Sequence, residues 1–226
     1  MTATPRGAVL TLQDVEVRYG SLVAVDTVSL TVSAGQVLAV TGPSGAGKTS
    51  LLWLMAGALD PDRGTVLVDG VPVGRRPQAA ARGVAVVPQG NGLAAVLTAY
   101  ENIVVPLLDR GVAPAEADAR AHEALGVVGL EEWADLLVEE LSGGQQQRVA
   151  VARALAGHAS VLLADEPTSD LDGRNREVVL HALRSVADRG AVVVLATHDP
   201  EAAAAADGEL ALDSGAATWV RQLTLS

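Results

Sequence analysis

The sequence predicts an α/β domain organised around a mixed, mostly parallel sheet, and three features predict it. Strand-like and helix-like segments alternate along the chain, as in domains that cover a sheet with helices. One short apolar run, Gln36 to Val40, passes through a glycine-rich turn straight into a helical periodicity. Later runs such as Val84 to Val87 and Val161 to Ala164 are apolar without alternation, the pattern of strands buried on both faces. With 226 residues, 49% of them hydrophobic, the chain has the length of one domain and ample material for its core.

Taken in order, Val15, Val17 and Tyr19 share one face of an alternating run, and Val28, Leu30 and Val32 share another; these read as antiparallel strands. The helix after the glycine-rich turn is expected over Thr49 to Leu59, where Leu51, Leu52, Met55 and Leu59 recur at helical spacing. Thr65 to Val68, Asp69-Gly70 and Val71 to Val73 form a hairpin pattern. The strand at Val84 ends before Pro88. From Asn91 to Glu140 the pattern is mostly helical, with a capping box at Thr98 to Glu101 and Pro114 at a helix start. The strand Val161 to Ala164, a helix over Arg174 to Asp188 and a strand over Ala191 to Ala196 follow, and Ala202 to Ala206 favours helix.

The formal charge of −11 argues against nucleic acid or anionic lipid as the main partner, since both are polyanions. Residues 91–140 carry ten acids against Arg110 and Arg120, so −8 of that charge sits there. With no cysteine, disulfides and thiolate metal sites are excluded. Met1 to Leu10 has no apolar core of a secretory signal. The longest uncharged stretch, Gly83 to Tyr100, is broken by Pro88, Gln89, Gly90, Asn91 and Gly92, so direct membrane insertion is not expected. Any membrane role must come through a partner.

Gly42, Pro43, Ser44, Gly45, Ala46, Gly47, Lys48 and Thr49 fit G-x-x-x-x-G-K-[ST] between an expected strand and an expected helix, and Ser50 follows in the same turn. Backbone N–H groups at a helix start can enclose a polyanion, and glycines allow close approach. Lys48 would pair with the β- and γ-phosphates and Thr49 would ligate Mg²⁺. An ordinary glycine-rich turn with an exposed lysine is the alternative, but a chance match in a chain of this composition is roughly one in a thousand. Lys48 is moreover the only lysine among 16 basic residues. The strand Val161 to Ala164 ends in Asp165 and Glu166; alone, this pair reads equally well as a helix-start cap. Beside a phosphate loop, Asp165 suits Mg²⁺ and Glu166 suits polarising water.

Leu141-Ser142-Gly143-Gly144-Gln145 completes a set: with Gly42 to Thr49 and Asp165-Glu166, the chain resembles the nucleotide-binding subunit of ABC transporters over about Leu10 to Leu212. Ser142 and Gln145 also have capping-box spacing, which opens a helix whose positive end attracts phosphate. The resemblance implies a P-loop NTPase core with a mixed parallel sheet, an N-terminal antiparallel β subdomain and a helical subdomain near residues 91–157 within one domain of residues 1–226. It implies ATP held between two subunits, the phosphate loop of one facing Ser142, Gly143, Gly144 and Gln145 of the other, in a homodimer. It further implies that Tyr19 stacks on adenine, that Gln89 contacts Mg²⁺ or water, and that His198 contacts the γ-phosphate. Ser169-Asp170-Leu171-Asp172 resembles the D-loop, with Asp170 where the family has a small residue.

The reaction so implied is ATP hydrolysis to ADP and phosphate, driving a membrane-spanning permease subunit from the cytoplasmic face of the membrane. Leu97 to Leu108 resembles the partner-facing region of the lipoprotein-releasing and macrolide-exporter subfamily, and the acidic helical region is expected to meet basic loops. A regulatory ATPase of the cell-division type, moving no solute, is the alternative, and a soluble ATPase of DNA repair or translation is disfavoured by the acidic charge.

Overall fold

Leucines and valines two residues apart build the first pair of strands, because alternate side chains of a strand share a face. In the computed structural model, which describes residues 7–169 and 171–224, β1 (Val9–Tyr19) and β2 (Leu22–Ser33) pair antiparallel. Leu10 and Leu12, and again Val15 and Val17, are buried as alternation requires, the two pairs being brought to one core by a register shift at Asp14, which holds φ 47. Tyr19 departs from it: Val17 pairs with Val25 but Arg18 pairs with Val23, and this register shift leaves Tyr19 47% exposed at the strand end. On the other side of β1 lies β4 (Arg63–Val68), which turns through Asp69 and Gly70, both at positive φ, into the short β5 (Val71–Pro72). That is the turn the Asp-Gly pair specifies.

The central strands β3 (Val37–Thr41), β6 (Val84–Val87), β7 (Val161–Asp165) and β8 (Val192–Ala196) run parallel, with β9 (Gly208–Asp213) beside β3 and β10 (Ala216–Arg221) antiparallel to β9. The sheet order is β5-β4-β1-β2-β10-β9-β3-β8-β7-β6. Its two faces feed different cores. Leu38, Val40, Leu163 and Val194 pack with β1, β2 and the helix α1 (Lys48–Met55). Ala39, Leu162, Val193 and Leu195 pack on the opposite face with the helical residues Ile103, Leu125, Val151, Leu183 and Ala202. Burial on both faces is why these strands read as unbroken apolar runs.

Helix α1 is shorter than its periodicity suggests. Ala56 caps it, and Gly57 at φ 64 lies where a Cβ would meet the Gly74 carbonyl oxygen at 2.3 Å, so the chain turns away before Leu59. After α2 (Arg76–Ala81) and β6 come α3 (Ala99–Asp109), α4 (Pro114–Val127), two single 3₁₀ turns, and α5 (Gly143–Ala156). The capping box at Thr98 and Glu101 forms as expected. Helix α6 (Gly173–Asp188) precedes β8, and α7 (Pro200–Ala204) ends within the alanine run.

Asn102, buried in α3, ties down the segment leading into that helix: its Oδ1 accepts from the Ala94 N–H at 2.8 Å and its Nδ2 donates to the Ala94 and Thr98 carbonyls at 3.0 and 2.9 Å. Removing the amide strands those backbone groups. Asn102→Ala should therefore lose about 1–3 kcal/mol of unfolding free energy, read as an earlier urea midpoint with an unchanged slope.

Candidate functional site

The loop from Gly42 to Gly47 is clamped between backbones from distant parts of the chain. A Cβ on Gly42, at φ 141, would sit 2.2 Å from the Leu212 carbonyl oxygen; one on Gly47, at φ 106, would sit 2.0 Å from that of Ala24. No other residue fits either position. Gly47 is the N-cap of α1, which has no side-chain cap and no acid in its first turn, so the positive end of the helix faces outward uncompensated. Ala46 is buried behind the loop, and its carbonyl accepts from the Gly215 N–H at 3.1 Å. Lys48 bends back across the loop, donating to the carbonyls of Gly42 at 2.7 Å and Pro43 at 3.1 Å.

Around this loop a cleft of about 280 Å³ is lined by Tyr19, Ser44, Gly45, Gly47, Lys48, Thr49, Ser50, Gln89, Asp165 and Glu166. The Tyr19 hydroxyl lies 3.5 Å from the Ser50 Oγ at its rim. Leu22 and Ala24 also line it, two residues that carry no motif and that sequence reasoning passed over. The two carboxylates at the end of β7 differ in setting. Asp165 is buried, and burial raises its pKa above the usual carboxylate range, with Glu166 adding to the rise while the Thr49 hydroxyl and Lys48 oppose it. Glu166 holds φ 49, a left-handed conformation rare for its residue type, with its N–H donating to the Ala196 carbonyl at 2.9 Å. Its Oε1 lies 3.0 Å from His198 Nδ1 and 4.0 Å from Lys48 Nζ.

His198 thus reaches the site through Glu166 while its ring stays largely exposed. The loop bearing it is fixed by Arg176 of α6, whose Nε lies 2.8 Å from an Asp199 oxygen, and Asp199 in turn caps α7 through the Glu201 N–H. No motif marks Arg176; only the fold brings it there. The Ser169 hydroxyl donates to the Glu166 carbonyl at 3.0 Å, closing the turn after β7. Of the remaining D-loop positions, Asp170 lies outside the described residues, Leu171 is buried and Asp172 caps α6.

Ser142, Gly143, Gly144 and Gln145 do not line the cleft. They open α5 elsewhere on the surface, where the Ser142 N–H donates to Gln145 Oε1 at 2.8 Å and the Gln145 N–H to Ser142 Oγ at 3.3 Å. Gly144 packs toward Leu171, whereas a Cβ on Gly143 would meet nothing within 4 Å.

A strand–glycine loop–helix suited to anions, a buried acid at the end of β7, one strand removed from β3, and a parallel sheet beneath define a P-loop nucleotide-hydrolysing domain. Residues 25–169 match the family model described as ABC transporter, and the chain belongs to that family. It is 40% identical over 194 residues to the lipoprotein-releasing system ATP-binding protein LolD of Bacteroides thetaiotaomicron, covering 83% of this chain and 89% of that one. It is 42% identical over 217 residues to the Fe(3+) ions import ATP-binding protein FbpC of Brucella abortus, covering 95% of this chain but spanning 61% of that protein. Among solved structures, the dimeric bacterial ABC transporter cassette MJ0796 superposes with a TM-score of 0.84 at 31% identity, covering 95% of this chain and all of that one. A second structure of MJ0796, with the same score, is a dimeric post-hydrolysis state bound to ADP and Pi. The chain is accordingly an ATP-binding cassette and an ATPase.

The raised pKa of Asp165 carries a stability consequence. A carboxyl that holds its proton more tightly when folded loses native stability as pH rises through its folded pKa, so at neutral pH the ionised group opposes folding. Asp165→Asn should raise the melting temperature of the nucleotide-free protein at pH 7. That gain should vanish below the carboxylate range, and the same variant should lose ATP turnover.

Proposed function

We propose that two copies of this chain close around two ATP molecules, each lying between the phosphate loop of one copy and Ser142 to Gln145 of the other, and that closing and opening drive a membrane-spanning permease subunit. The observation that carries the dimeric reading is Gly143. Glycine in a helical turn costs about 1 kcal/mol relative to alanine, and nothing within this chain crowds its Cβ position. Close approach of another molecule's phosphates to the backbone gives the residue a use.

Within such a site, Lys48 and the free N–H groups of the first turn of α1 neutralise the phosphate chain. Tyr19, half exposed at the cleft rim, offers its ring to the adenine. Thr49, Gln89 and Asp165 offer a hydroxyl, an amide and one carboxylate, an oxygen set suited to Mg²⁺ shared with nucleotide phosphates. Bound there, the ion would add positive charge beside the phosphates. Glu166 orients a water for in-line attack on the γ-phosphorus and takes its proton as the bond to the β-phosphate oxygen breaks, releasing ADP and phosphate. His198, against the Glu166 carboxylate, holds the γ-phosphate.

The permease is proposed to dock in a groove of about 370 Å³ between α2, α3 and α5, floored by Val86, Pro88, Ile103, Leu107 and Ala154. Pro88 directly precedes Gln89, which links the groove to the cleft. The resemblance of Leu97 to Leu108 to the partner-facing region of the lipoprotein-releasing and macrolide-exporter subfamily supports an assembly of that type. Among the described residues no helix is long and apolar enough to cross a membrane. We assign the chain to the cytoplasmic face, held there by the permease, as a component of a transport system like those its relatives are named for.

Glu166→Gln should retain ATP binding, slow hydrolysis by about 10²–10⁴-fold, and run as a dimer in gel filtration with Mg·ATP; near-normal turnover would remove Glu166 from the mechanism. Gly143→Asp should melt like the parent, since its side chain meets open space, yet fail to dimerise with ATP. Dimerisation of that variant at the parent's ATP concentration would refute the two-copy site.

A further inference from the structure

Five arginines of this acidic chain sit against acids: Arg18 with Glu16, Arg75 with Asp60, Arg120 with Glu116, Arg176 with Asp199 and Arg184 with Asp207. The groove beside Gln89 gathers three that do not. Arg76 at the start of α2, Arg110 at the end of α3 and Arg153 within α5 all line it, and no acidic side chain does. Among the described residues none of the three has a carboxylate partner. Arg153 donates instead to the backbone carbonyls of Gly92 at 2.7 Å and Asn91 at 3.0 Å. Arg110 lies over Gly157, where a Cβ would meet its Nη1 at 3.0 Å.

Helix-end electrostatics leaves one of these charges unaccounted for. A cation near a helix C-terminus is favourable, which covers Arg110 after α3 and Arg153 in the last turn of α5; Arg76 sits at the opposite, unfavourable end of its helix. Burial and the neighbouring Arg110 both push the Arg153 guanidinium pKa down, so the cluster pays for its own proximity. A carboxylate entering the groove relieves that repulsion and accepts paired N–H bonds from a planar guanidinium.

We infer that the segment of the permease that enters this groove presents a carboxylate to Arg76, Arg110 and Arg153. The inference rests on the docking reading given above. It reverses the sequence-based expectation of basic loops: the acids of residues 91–140 lie outside the groove, and the docking face itself is positive. A basic segment is repelled here, which selects among membrane partners. Because Arg153 holds the carbonyls of Asn91 and Gly92, a carboxylate drawn to it acts on the segment that follows Gln89.

The absence of cysteine from the chain makes the test direct. Ala80→Cys, exposed at the groove, is labelled with a benzophenone maleimide, photolysed with native membranes, and the crosslinked peptide is sequenced. The expected product is a segment of a membrane-spanning protein with Asp or Glu within one helical turn of the crosslink. Adding Arg76→Glu and Arg110→Glu should cut its yield about tenfold or more, with the thermal transition unchanged. If that pair disturbs folding, Arg76→Gln with Arg110→Gln should still reduce the yield. A membrane-protein segment lacking a carboxylate, or a yield indifferent to these charges, overturns the acidic recognition and leaves groove docking intact. No crosslink to any membrane-spanning protein overturns the docking reading itself.

Discussion

An ammonium group held by two carbonyl oxygens of its own loop is the interaction on which the site depends. Lys48 is buried, so its charge needs partners at close range, and the carbonyls of Gly42 and Pro43 supply them. Those carbonyls point the right way only because Leu212 and Ala24 press on Gly42 and Gly47 from the ends of β9 and β2. The nearest carboxylate oxygen, on Glu166, stops at 4.0 Å. The lysine is therefore satisfied by dipoles rather than locked in a tight ion pair, and a phosphate oxygen, carrying full charge, outbids a carbonyl for it.

Glu166 shows what that spacing costs. A left-handed conformation at a non-glycine residue costs of order 1–3 kcal/mol and persists only where its surroundings enforce it. Here the Ala196 carbonyl takes its N–H and the Ser169 hydroxyl binds its carbonyl, so the turn is held from both sides. The consequence is directional: the Glu166 carboxylate, itself buried, is turned toward His198, while Asp165, one residue earlier on the strand, lies beside Thr49. Two adjacent acids acquire different neighbours from a single backbone reversal, His198 for Glu166 and Thr49 for Asp165.

What could be read from the sequence was whatever is contiguous. The phosphate loop, the acids at the end of β7, the capping boxes at Thr98 and Ser142 and the Asp69-Gly70 turn each lie within a few residues, where local chemistry decides the outcome. Tyr19 was legible as a residue but not in its direction, because the register shift opposite Ala24 arises from pairing between strands. The end of α1 depended on Gly74, distant in the chain. Arg176 and the left-handed Glu166 left no trace in composition or spacing, since both are consequences of how α6 and β8 pack against β7.

Net charge says least about the sites themselves, for a physical reason. A net charge of −11 describes the far field of the molecule, which screening confines to about 10 Å at ordinary salt. Recognition of a phosphate chain or a docking helix happens well inside that distance, where the sign is set by whichever side chains line the cavity. In the nucleotide cleft Lys48 and a helix terminus face Asp165 and Glu166; in the groove beside Gln89 three arginines stand without acids. An acidic surface repels polyanions in general, whereas a recess whose lining has the opposite sign admits those that fit it, so far-field and near-field charge act on different partners.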